Sequence, residues 1–413
     1  MHVAVIGAGI VGVSTALQLQ RYGHDVTLID REGPAAGTSQ GNAGVLASLS
    51  MVPLTGPGLI AKAPRMLLDP AQPLFLKWGY LPRLTPWLLR YLSHANAADT
   101  KRIAAAMAPI VGDSLAEHQA LAAGSEAARY IFPCDYVYAY RDRTAFAADA
   151  FGWELRRSHG VRWEELEGAA IQDYDPSVGA ETGLLVRVGG HGRISDPGAY
   201  VRALAKAFET AGGRHHVGQV EDLVRTGDQA TGVQLAGERL SADAVVVTTG
   251  VWSGPLAQKL GLKVPLESER GYHLELWEPS TMPRSPLMVA SGKFVATPME
   301  GRVRLAGIVE FGGLTRGPSR APFELLLRQA KRAFPTLTWA RTSEWMGHRP
   351  APADSIPAIG PVPGLKGAYL GFGHHHVGLT GGAKTGRLLA QLVSGRAPNI
   401  DLAPYSPARF NAA

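Results

Sequence analysis

Apolar residues at the start of the chain form two short runs separated by a helical pattern. Residues 3–6 and 26–29 are runs of strand length that are mostly apolar. Between them, apolar residues at positions 13, 16, 17 and 19 recur at helical spacing, and Gly23 follows. The pattern predicts a buried strand, a helix that ends near Gly23, and a second buried strand.

Further apolar runs predict the elements of the remaining chain. Residues 136–140, 244–247 and 368–372 have the pattern of strands, and the chain closes with a helix through Leu388, Leu389 and Leu392. Asp196 and Pro197 suit the cap and the first turn of another helix. From Tyr272 the pattern becomes antiparallel, because residues 294–297 and 303–309 flank a turn at Glu300-Gly301. We therefore predict a parallel α/β layer interrupted by an antiparallel α+β layer.

Three glycines stand where the first strand meets the first helix. Gly7 permits a tight turn, Gly9 lets the backbone approach a pyrophosphate, and Gly12 lets the helix pack close to the strand. The N-terminus of the helix would direct unpaired N–H groups at the phosphates. Asp30, at the end of the second strand, is placed to accept hydrogen bonds from a ribose hydroxyl. This order of elements predicts a dinucleotide site.

Two further segments favour a flavin over a nicotinamide. Residues 37–44 are dense in glycine and small polar residues, which a ribityl chain and a ring edge need but a bare NAD site does not. A surface turn has the same composition. Residues 371–382 join a strand to a helix, where backbone N–H groups would stabilise negative charge on a reduced isoalloxazine. An NAD-linked dehydrogenase stays the alternative.

Composition narrows the class of protein. The 413 residues are enough for two domains, and no apolar run is long enough to span a bilayer. Cys134 is the single cysteine, which excludes an internal disulfide, an iron–sulfur cluster held by this chain alone and a dithiol relay. The glycine motif begins too early for a signal peptide, so we expect a cytoplasmic protein. The net charge of +6 is modest, and no nucleic-acid partner is expected.

Residues 53–92 differ in character from the rest of the chain. They are rich in proline, leucine and aromatic residues, interleaved with basic ones. This mixture is typical of a segment that lies in a membrane interface, here peripherally on the cytoplasmic face of the inner membrane. It is also typical of short helices that cover a substrate pocket. We favour the helices, because prolines are expected to interrupt any long amphipathic face.

Several motifs in order along the chain resemble the FAD-dependent amine oxidoreductases typified by D-amino acid oxidase, glycine oxidase and sarcosine oxidase. Within that family the match is closest to bacterial D-amino acid dehydrogenases and their hydroxy-D-proline-oxidising relatives. The matching pieces are the N-terminal glycine motif, Thr38-Ser39 with Asn42-Ala43-Gly44, residues 244–250 followed by Trp252, Arg270-Gly271-Tyr272, Gly347-His348-Arg349-Pro350 leading to Ile359-Gly360-Pro361, and the final glycine- and histidine-rich block.

The resemblance implies a fold and a division of the chain. The expected fold is a discontinuous Rossmann-like FAD-binding domain with a second α+β substrate domain built on an antiparallel sheet. Residues 1–55, 192–266 and 345–413 would form the FAD-binding domain. Residues 56–191 and 267–344 would form the substrate-binding domain.

The resemblance also implies roles for individual residues. Arg349 matches the arginine that clamps the substrate carboxylate with two parallel hydrogen bonds. Tyr272 matches a position that faces the substrate, where a phenol helps to hold the carboxylate or seals the pocket; a core tyrosine is the alternative. The residues expected to contact FAD are Gly7, Gly9, Ile10, Val11, Gly12, Asp30, Arg31, Thr38, Ser39, Asn42, Ala43, Gly44, Val45, Val220, Thr249, Gly250, Trp252, Gly373, His375, Gly378, Leu379 and Thr380.

Three consecutive histidines, His374 to His376, invite a metal hypothesis. Neighbouring side chains of an extended segment point to opposite sides, and no cluster of carboxylates or cysteines lies nearby in sequence, so we expect no metal site. His375 and His376 are instead expected beside the flavin, with His376 in the catalytic set. Ser48 stands where some relatives carry a histidine, which leaves an active-site base undefined. We expect dissociable FAD.

Together these features predict oxidative deamination of a D-amino acid by hydride transfer to flavin N5, with D-proline or hydroxy-D-proline types as candidate substrates. One alternative is oxidation of glycine, sarcosine or another secondary amine. Another is a flavoprotein subunit of an electron-transfer complex. The electron acceptor is expected to be a quinone, oxygen or a partner subunit. The sequence leaves the substrate side chain, its chirality and the choice among these acceptors open.

Overall fold

The computed structural model describes residues 1–69 and 72–411. Residues 70 and 71, inside the predicted substrate domain, and residues 412 and 413, inside the predicted FAD-binding domain, lie outside the described residues. The strands are β1 (His2–Ile6), β2 (Asp25–Asp30), β3 (Val45–Leu46), β4 (Leu74–Leu76), β5 (Ile131–Tyr140), β6 (Glu164–Leu166), β7 (Leu184–Ile194), β8 (Arg214–Val217), β9 (Val220–Thr226), β10 (Gln229–Leu235), β11 (Glu238–Ser241), β12 (Ala244–Val247), β13 (Leu266–Trp277), β14 (Leu287–Val289), β15 (Phe294–Met299), β16 (Arg302–Phe311), β17 (Arg341–Pro352), β18 (Ala358–Pro361) and β19 (Ala368–Phe372). The helices are α1 (Ile10–Arg21), α2 (Leu59–Leu68), α3 (Leu81–Ser93), α4 (Ala97–Val111), α5 (Ser114–Ala122), α6 (Arg143–Ala147), α7 (Ala150–Ser158), α8 (Ala169–Tyr174), α9 (Pro197–Thr210), α10 (Ser253–Lys259), α11 (Arg320–Ala333) and α12 (Gly378–Val393).

One sheet has six strands in the order β18-β19-β12-β1-β2-β8. The strands from β19 to β8 are parallel, and β18 runs antiparallel at the edge. Val3 and Val5 of β1 pack on one side with α1, α9 and α12, while Ala4 and Ile6 pack on the other side with β10 and α10. Burial of both faces explains why these strands are continuous apolar runs in the sequence.

The second large sheet has ten strands and is mostly antiparallel. Its main path is β17-β13-β16-β15-β14-β5-β7-β3, with β4 paired to β16 and β6 paired to β7. Helix α11 packs against β13 and β16 around a core that includes Leu274, Leu305 and Phe323. Helical and antiparallel layers therefore accompany the parallel sheet, as the pattern predicts.

Local predictions are confirmed at several element ends. Helix α1 stops at Arg21, and Gly23 has a φ of 84°. The Asp196 side chain accepts a hydrogen bond from the Ala199 N–H at 2.8 Å and caps α9, which begins at Pro197. Strands β15 and β16 pair antiparallel around Gly301, whose φ is 68°.

The short helices expected in residues 53–92 are present as α2 and α3, but Pro86 does not interrupt α3 as expected. This helix runs for 13 residues with Pro86 in its interior. Its Leu84, Trp87 and Tyr91 side chains are buried, and the Trp87 Nε1–H donates to the carbonyl of Ala351 at 2.9 Å. Burial of one face therefore outweighs the hydrogen bond that Pro86 cannot make.

The predicted domain ranges and the two sheets overlap without coinciding. All strands of the six-stranded sheet fall in the ranges predicted for the FAD-binding domain, but so does β3 of the ten-stranded sheet. Strands β7, β13 and β17 each run across a predicted boundary. The division of the chain stays a prediction.

Candidate active site

A cavity of about 920 Å³ lies between the two large sheets. On one side it is lined by the ends of β1, β2, β12 and β19, where the strands lead into Gly7, Asp30, Thr248 and Gly373. On the other side it is lined by residues of β13, β16 and β17. The carboxyl ends of parallel strands are the usual place for a ligand in such a sheet.

The turn after β1 depends on its glycines. Gly7 has a φ of 101°, and a Cβ added there would lie 2.7 Å from the carbonyl oxygen of Thr248. A Cβ at Gly12 would lie 1.8 Å from the carbonyl oxygen of Gly7. Gly9 lines the cavity, and a Cβ there would come within 3.3 Å of the Ser39 Oγ. The turn is therefore a cradle in which a ligand can approach the backbone closely.

The Asp30 carboxylate fixes this turn from beside the cavity. Its Oδ2 accepts a hydrogen bond from the Ala8 N–H at 2.8 Å, and its Oδ1 accepts from the N–H groups of Glu32 and Gly33. An ionised carboxylate has about four acceptor sites, so capacity for a ribose hydroxyl is left. Nearby, the Arg31 guanidinium lies 4.1 Å above the centre of the Trp252 ring.

Residues 40–42 turn three consecutive carbonyl groups toward the ten-stranded sheet. Arg304 Nη1 donates to the carbonyls of Gln40 and Asn42 at 3.2 and 2.6 Å. The His273 Nδ1–H donates to the carbonyl of Gly41 at 3.0 Å. In a planar trans peptide the N–H points opposite to the C=O. The three N–H groups that follow these carbonyls therefore point away from the sheet, on a segment that lines the cavity.

A buried ion cluster supports this segment. The Glu275 Oε1 accepts hydrogen bonds from Arg302 Nε at 2.6 Å and from Arg304 Nη2 at 2.7 Å. Burial acts to raise the pKa of Glu275, but the two arginines outweigh it and hold that pKa at about 2. Burial, together with Arg304, lowers the pKa of His273 to about 3, so this imidazole is neutral and carries its proton on Nδ1.

Packing also restricts the same loop. A Cβ at Gly41 would lie 2.0 Å from the Trp345 ring, which is stacked on His273 with 5.1 Å between ring centres. Gly44 has a φ of 77° and donates its N–H to the Asn42 Oδ1 at 2.8 Å. The glycines of this loop are therefore required by close packing and by the turn.

Arg349 presents its guanidinium to the cavity from β17. The side chain crosses over Gly271 of β13, where an added Cβ would lie 2.5 Å from the Arg349 Cζ. Its Nη1 donates to the carbonyl of Ile308 over a long 3.4 Å. Burial lowers the pKa of Arg349 and Glu269 opposes this shift, and a guanidinium stays protonated at neutral pH in either case. A cation with N–H donors to spare therefore faces the cavity.

Tyr272 lines the cavity, but its hydroxyl makes its bonds elsewhere. The hydroxyl donates to the Glu310 Oε2 at 2.7 Å and accepts from the Ser319 N–H at 2.9 Å. Only 1% of the residue is exposed. Burial, followed by the bond to Glu310, raises the pKa of Tyr272 to about 12, so the phenol stays protonated.

The three histidines have separate surroundings. The His374 Nε2 lies 2.9 Å from the Thr385 Oγ1, whereas His375 Nε2–H donates to the carbonyl of Pro352 at 3.0 Å. His376 is exposed to the cavity although protein surrounds it. Burial lowers the pKa of His374 and of His376 to about 4. Within residues 1–69 and 72–411 no group of three or more metal-binding side chains converges.

The cavity brings together most of the residues predicted for the site. Gly12 and Gly44 lie behind the wall, where they allow close packing. The predicted residues that line it are Gly7, Gly9, Ile10, Val11, Asp30, Arg31, Thr38, Ser39, Asn42, Ala43, Val45, Val220, Thr249, Gly250, Trp252, Tyr272, Arg349, Gly373, His375, His376, Gly378, Leu379 and Thr380.

Several residues of the wall were not predicted from the sequence. Glu269 lines the cavity beside Arg349, and Tyr136, Tyr138 and Arg156 line another part of it. The signal for Glu269 was available, because charged residues recur through β13, a strand buried along nearly its whole length. No signal identified Arg156, whose guanidinium lies over the rings of Tyr138 and Trp153.

Comparisons with known proteins bear on the family and the fold of this chain. The profile of a family described as FAD dependent oxidoreductase matches residues 2–392. The chain is similar to a D-amino-acid oxidase of Bradyrhizobium diazoefficiens, with 39% identity over 99% of each chain. It is also similar to a D-amino acid dehydrogenase of Allorhizobium ampelinum, with 30% identity over 100% of this chain and 99% of that one. These findings confirm the resemblance found in the sequence.

Solved structures show the same fold. Glycine oxidase from Geobacillus kaustophilus matches with a TM-score of 0.75 and 21% identity over 98% of each chain. L-proline dehydrogenase from P. horikoshii matches with a TM-score of 0.74 and 16% identity over 99% of this chain and 97% of that one. The predicted fold class is confirmed. Among the described residues, no helix is both long and apolar enough to span a bilayer.

Proposed function

The chain belongs to the family of FAD-dependent oxidoreductases, and from that premise we propose that it oxidises D-amino acids at the bond between Cα and nitrogen. The observation that carries this proposal is the Arg349 guanidinium on the cavity wall, with N–H donors to spare. A planar guanidinium binds a carboxylate through two parallel hydrogen bonds. The named relatives act on amino acids and support this substrate class.

The residues present fit FAD. The cradle at Gly7 and Gly9 and the start of α1 would hold the pyrophosphate, and Asp30 would hold a ribose. The backbone N–H groups after residues 40–42 and the turn from Gly373 to Thr380, which both line the cavity, would hold the ring system. FAD, when bound, supplies the acceptor for the hydride that leaves the substrate Cα. We propose that residues 1–55, 192–266 and 345–413 form the part that holds it.

The remaining site residues position the substrate. Arg349 would fix the carboxylate and so direct the Cα–H toward the flavin. We propose that Tyr272 seals the wall, because its hydroxyl is bonded to Glu310 and Ser319. His376, with its pKa lowered to about 4, would be a neutral group of the catalytic set facing the cavity. The product would be an imino acid, which hydrolyses to a 2-oxo acid and ammonia.

Transfer of electrons out of the protein would proceed directly from the flavin to oxygen, a quinone or a partner subunit. Peripheral contact with a membrane is proposed for the segment from α2 to α3, in which Ile60, Trp78 and Leu89 are more than half exposed. Sedimentation with vesicles of anionic phospholipid tests this contact. We expect co-sedimentation of the wild type and its loss in the Trp78→Ala/Leu89→Ala double variant.

Anaerobic reduction of the bound flavin tests the substrate class. The purified yellow protein is mixed with pooled D-amino acids and, separately, with pooled L-amino acids, each pool including proline, and the visible flavin band is followed. We expect bleaching by the D pool alone, after which splitting the pool identifies the substrate. A flavin that dithionite reduces but neither pool bleaches would overturn the proposal. N-methylated amines, glycine and candidate partner subunits would then be tested.

A further inference from the structure

Glu269 is a buried acid on the cavity wall with an incomplete set of partners. It is 2% exposed and lines the cavity from β13. Its Oε2 is buried and accepts no hydrogen bond in the part of the chain that the structure describes. A buried carboxylate oxygen without a donor is costly, by about 1–3 kcal/mol or more. The His375 Nδ1 stands 3.5 Å from this oxygen, so the acceptor capacity left for a ligand lies on the side of the carboxylate that lines the cavity.

Glu269 and Arg349 occupy neighbouring positions on the same wall. In the pairing of β13 with β17 they stand directly opposite each other, and the guanidinium crosses over Gly271. Both residues line the same cavity. An anion and a cation are thus held side by side. An amino acid carries the complementary pair, a carboxylate and an ammonium group, on a single carbon atom.

The groups around Glu269 keep it ionised. The His375 Nδ1 lies 3.5 Å from the Glu269 Oε2, and Arg349 and His376 are the other positive or ionisable neighbours from β17 and the turn before α12. Tyr91 of α3 and Glu267 of the same strand also face it. Burial acts to raise the pKa of Glu269, but His375 and Arg349 outweigh it and lower that pKa.

We propose that Glu269 accepts the hydrogen bond of the substrate amino group and removes one proton from it. This inference rests on the proposed function. The step breaks one N–H bond of the ammonium group and forms one O–H bond on the carboxylate, and no electrons leave the substrate. The resulting neutral amine has the lone pair that loss of hydride from Cα requires. When the product leaves, the proton passes from Glu269 to solvent.

The isosteric variant Glu269→Gln in the FAD-loaded enzyme tests this role. The substrate is the D-amino acid identified in the screen, and the rate of anaerobic flavin bleaching is measured from pH 6 to 10. A general base contributes about 10²- to 10⁴-fold, so we expect a loss of at least about 100-fold at pH 7. The variant's rate should then rise toward the pKa of the free amine, because only substrate deprotonated in solution can react.

A carboxylate that lacks the amine separates this role from an effect on Arg349. Propionate replaces D-alanine, or the matching acid replaces another substrate, and its binding is followed through the flavin spectrum. We expect Glu269→Gln to leave propionate binding within about twofold, because Arg349 is intact. Equal weakening of propionate and of the amino acid would show that Glu269 acts only through Arg349 and would overturn the proposal.

Two further variants complete the test. Glu267→Gln removes the same charge from the same strand, at a residue bonded to Tyr80, and should bleach like the wild type. Glu269→Asp keeps a carboxylate, so it should retain the wild-type pH profile at a reduced rate. It replaces Glu269→Gln as the test variant if the glutamine variant does not fold. If the flavin of Glu269→Gln is bleached at the wild-type rate, the proposed role of Glu269 as a base is overturned. If no amino acid bleaches the wild-type enzyme, the proposed function itself is overturned.

Discussion

Two buried glutamates on β13 differ in how completely their oxygens are paired. The Glu275 Oε1 accepts from Arg302 and Arg304, and its Oε2 accepts from the Ser343 Oγ at 2.7 Å. The Glu269 Oε2 lies 3.5 Å from His375 and accepts no hydrogen bond from the described residues. Both carboxylates are at least nine-tenths buried. Their difference therefore lies in partners and not in depth.

The difference separates a structural cluster from a binding cluster. The Glu275 carboxylate and its two arginines are paired with each other. Arg304 also donates hydrogen bonds to the carbonyls of residues 40 and 42. Around Glu269 and Arg349, charges and donors are left for a ligand that enters the cavity. The paired cluster holds the loop of residues 40–44, whereas the cluster with free donors is the one that we propose binds the substrate.

Removing the paired carboxylate should have the largest effect on stability. In Glu275→Gln the buried Arg304 guanidinium loses its counterion and Arg302 keeps only Asp196, so the free energy of unfolding should fall by about 3–5 kcal/mol. Urea unfolding measures it. The control Glu154→Gln breaks an exposed ion pair with Arg157 and should change that free energy by less than about 1 kcal/mol. Equal stability of the two variants would remove the distinction between the clusters.

The same residue predicts a dependence of stability on pH. The pKa of Glu275 is about 2 in the folded protein against an ordinary value of 4.5. The stability that it contributes is therefore complete above about pH 4.5 and is lost as the pH falls toward 2. Unfolding of the wild type and of Glu275→Gln should consequently differ most at neutral pH, and the difference should shrink below pH 4.5. A constant difference across this range would contradict the assignment.

Removing the unpaired cation should affect activity more than stability. Arg349→Ala would lose two charge-assisted hydrogen bonds to the substrate, each worth about 1.5–3 kcal/mol, and kcat/KM should fall by about 100-fold or more. Arg349→Lys keeps the charge but cannot form two parallel hydrogen bonds, so its kcat/KM should lie between those of the wild type and Arg349→Ala. FAD content should stay unchanged in both variants. A loss of bound FAD together with stability would assign Arg349 to the scaffold.

The fold could be predicted from the sequence, and most of the residues predicted for the site line the cavity, because those features depend on local order. Glycines before a helix, an acid after β2 and apolar runs are readable in single segments, as Gly7 and Asp30 show. The charges that recur through β13 mark Glu269 as unusual, but its place beside Arg349 follows only from the pairing of β13 with β17, 80 positions later. The interruption expected from prolines failed for a related reason. The buried face of α3 packs against residues distant in sequence, including Phe311, and local patterns do not show such packing.

Crowding the loop of residues 40–44 should have an intermediate effect. In Gly41→Ala the new methyl group would overlap the Trp345 ring, which cannot withdraw without leaving His273. Overpacking costs about 1–3 kcal/mol, so the Kd for FAD should rise by about 5- to 100-fold. Titration of the apoprotein with FAD measures this. Gly37→Ala is the matched control, because its Cβ would meet the Trp252 ring at an ordinary 3.8 Å. Equal affinities would show that packing does not fix the loop.

The smallest effect is expected where a cavity residue has already used its polar group. In Tyr272→Phe the bonds to Glu310 and Ser319 are lost, which should lower the free energy of unfolding by about 1 kcal/mol. Because these bonds lead away from the cavity, kcat/KM should stay within roughly threefold of the wild type. Steady-state kinetics with the identified D-amino acid measure it. A rise in KM comparable to that of Arg349→Ala would mean that the phenol leaves Glu310 to bind the carboxylate. Tyr272 would then belong with the residues whose charges and donors are reserved for the substrate.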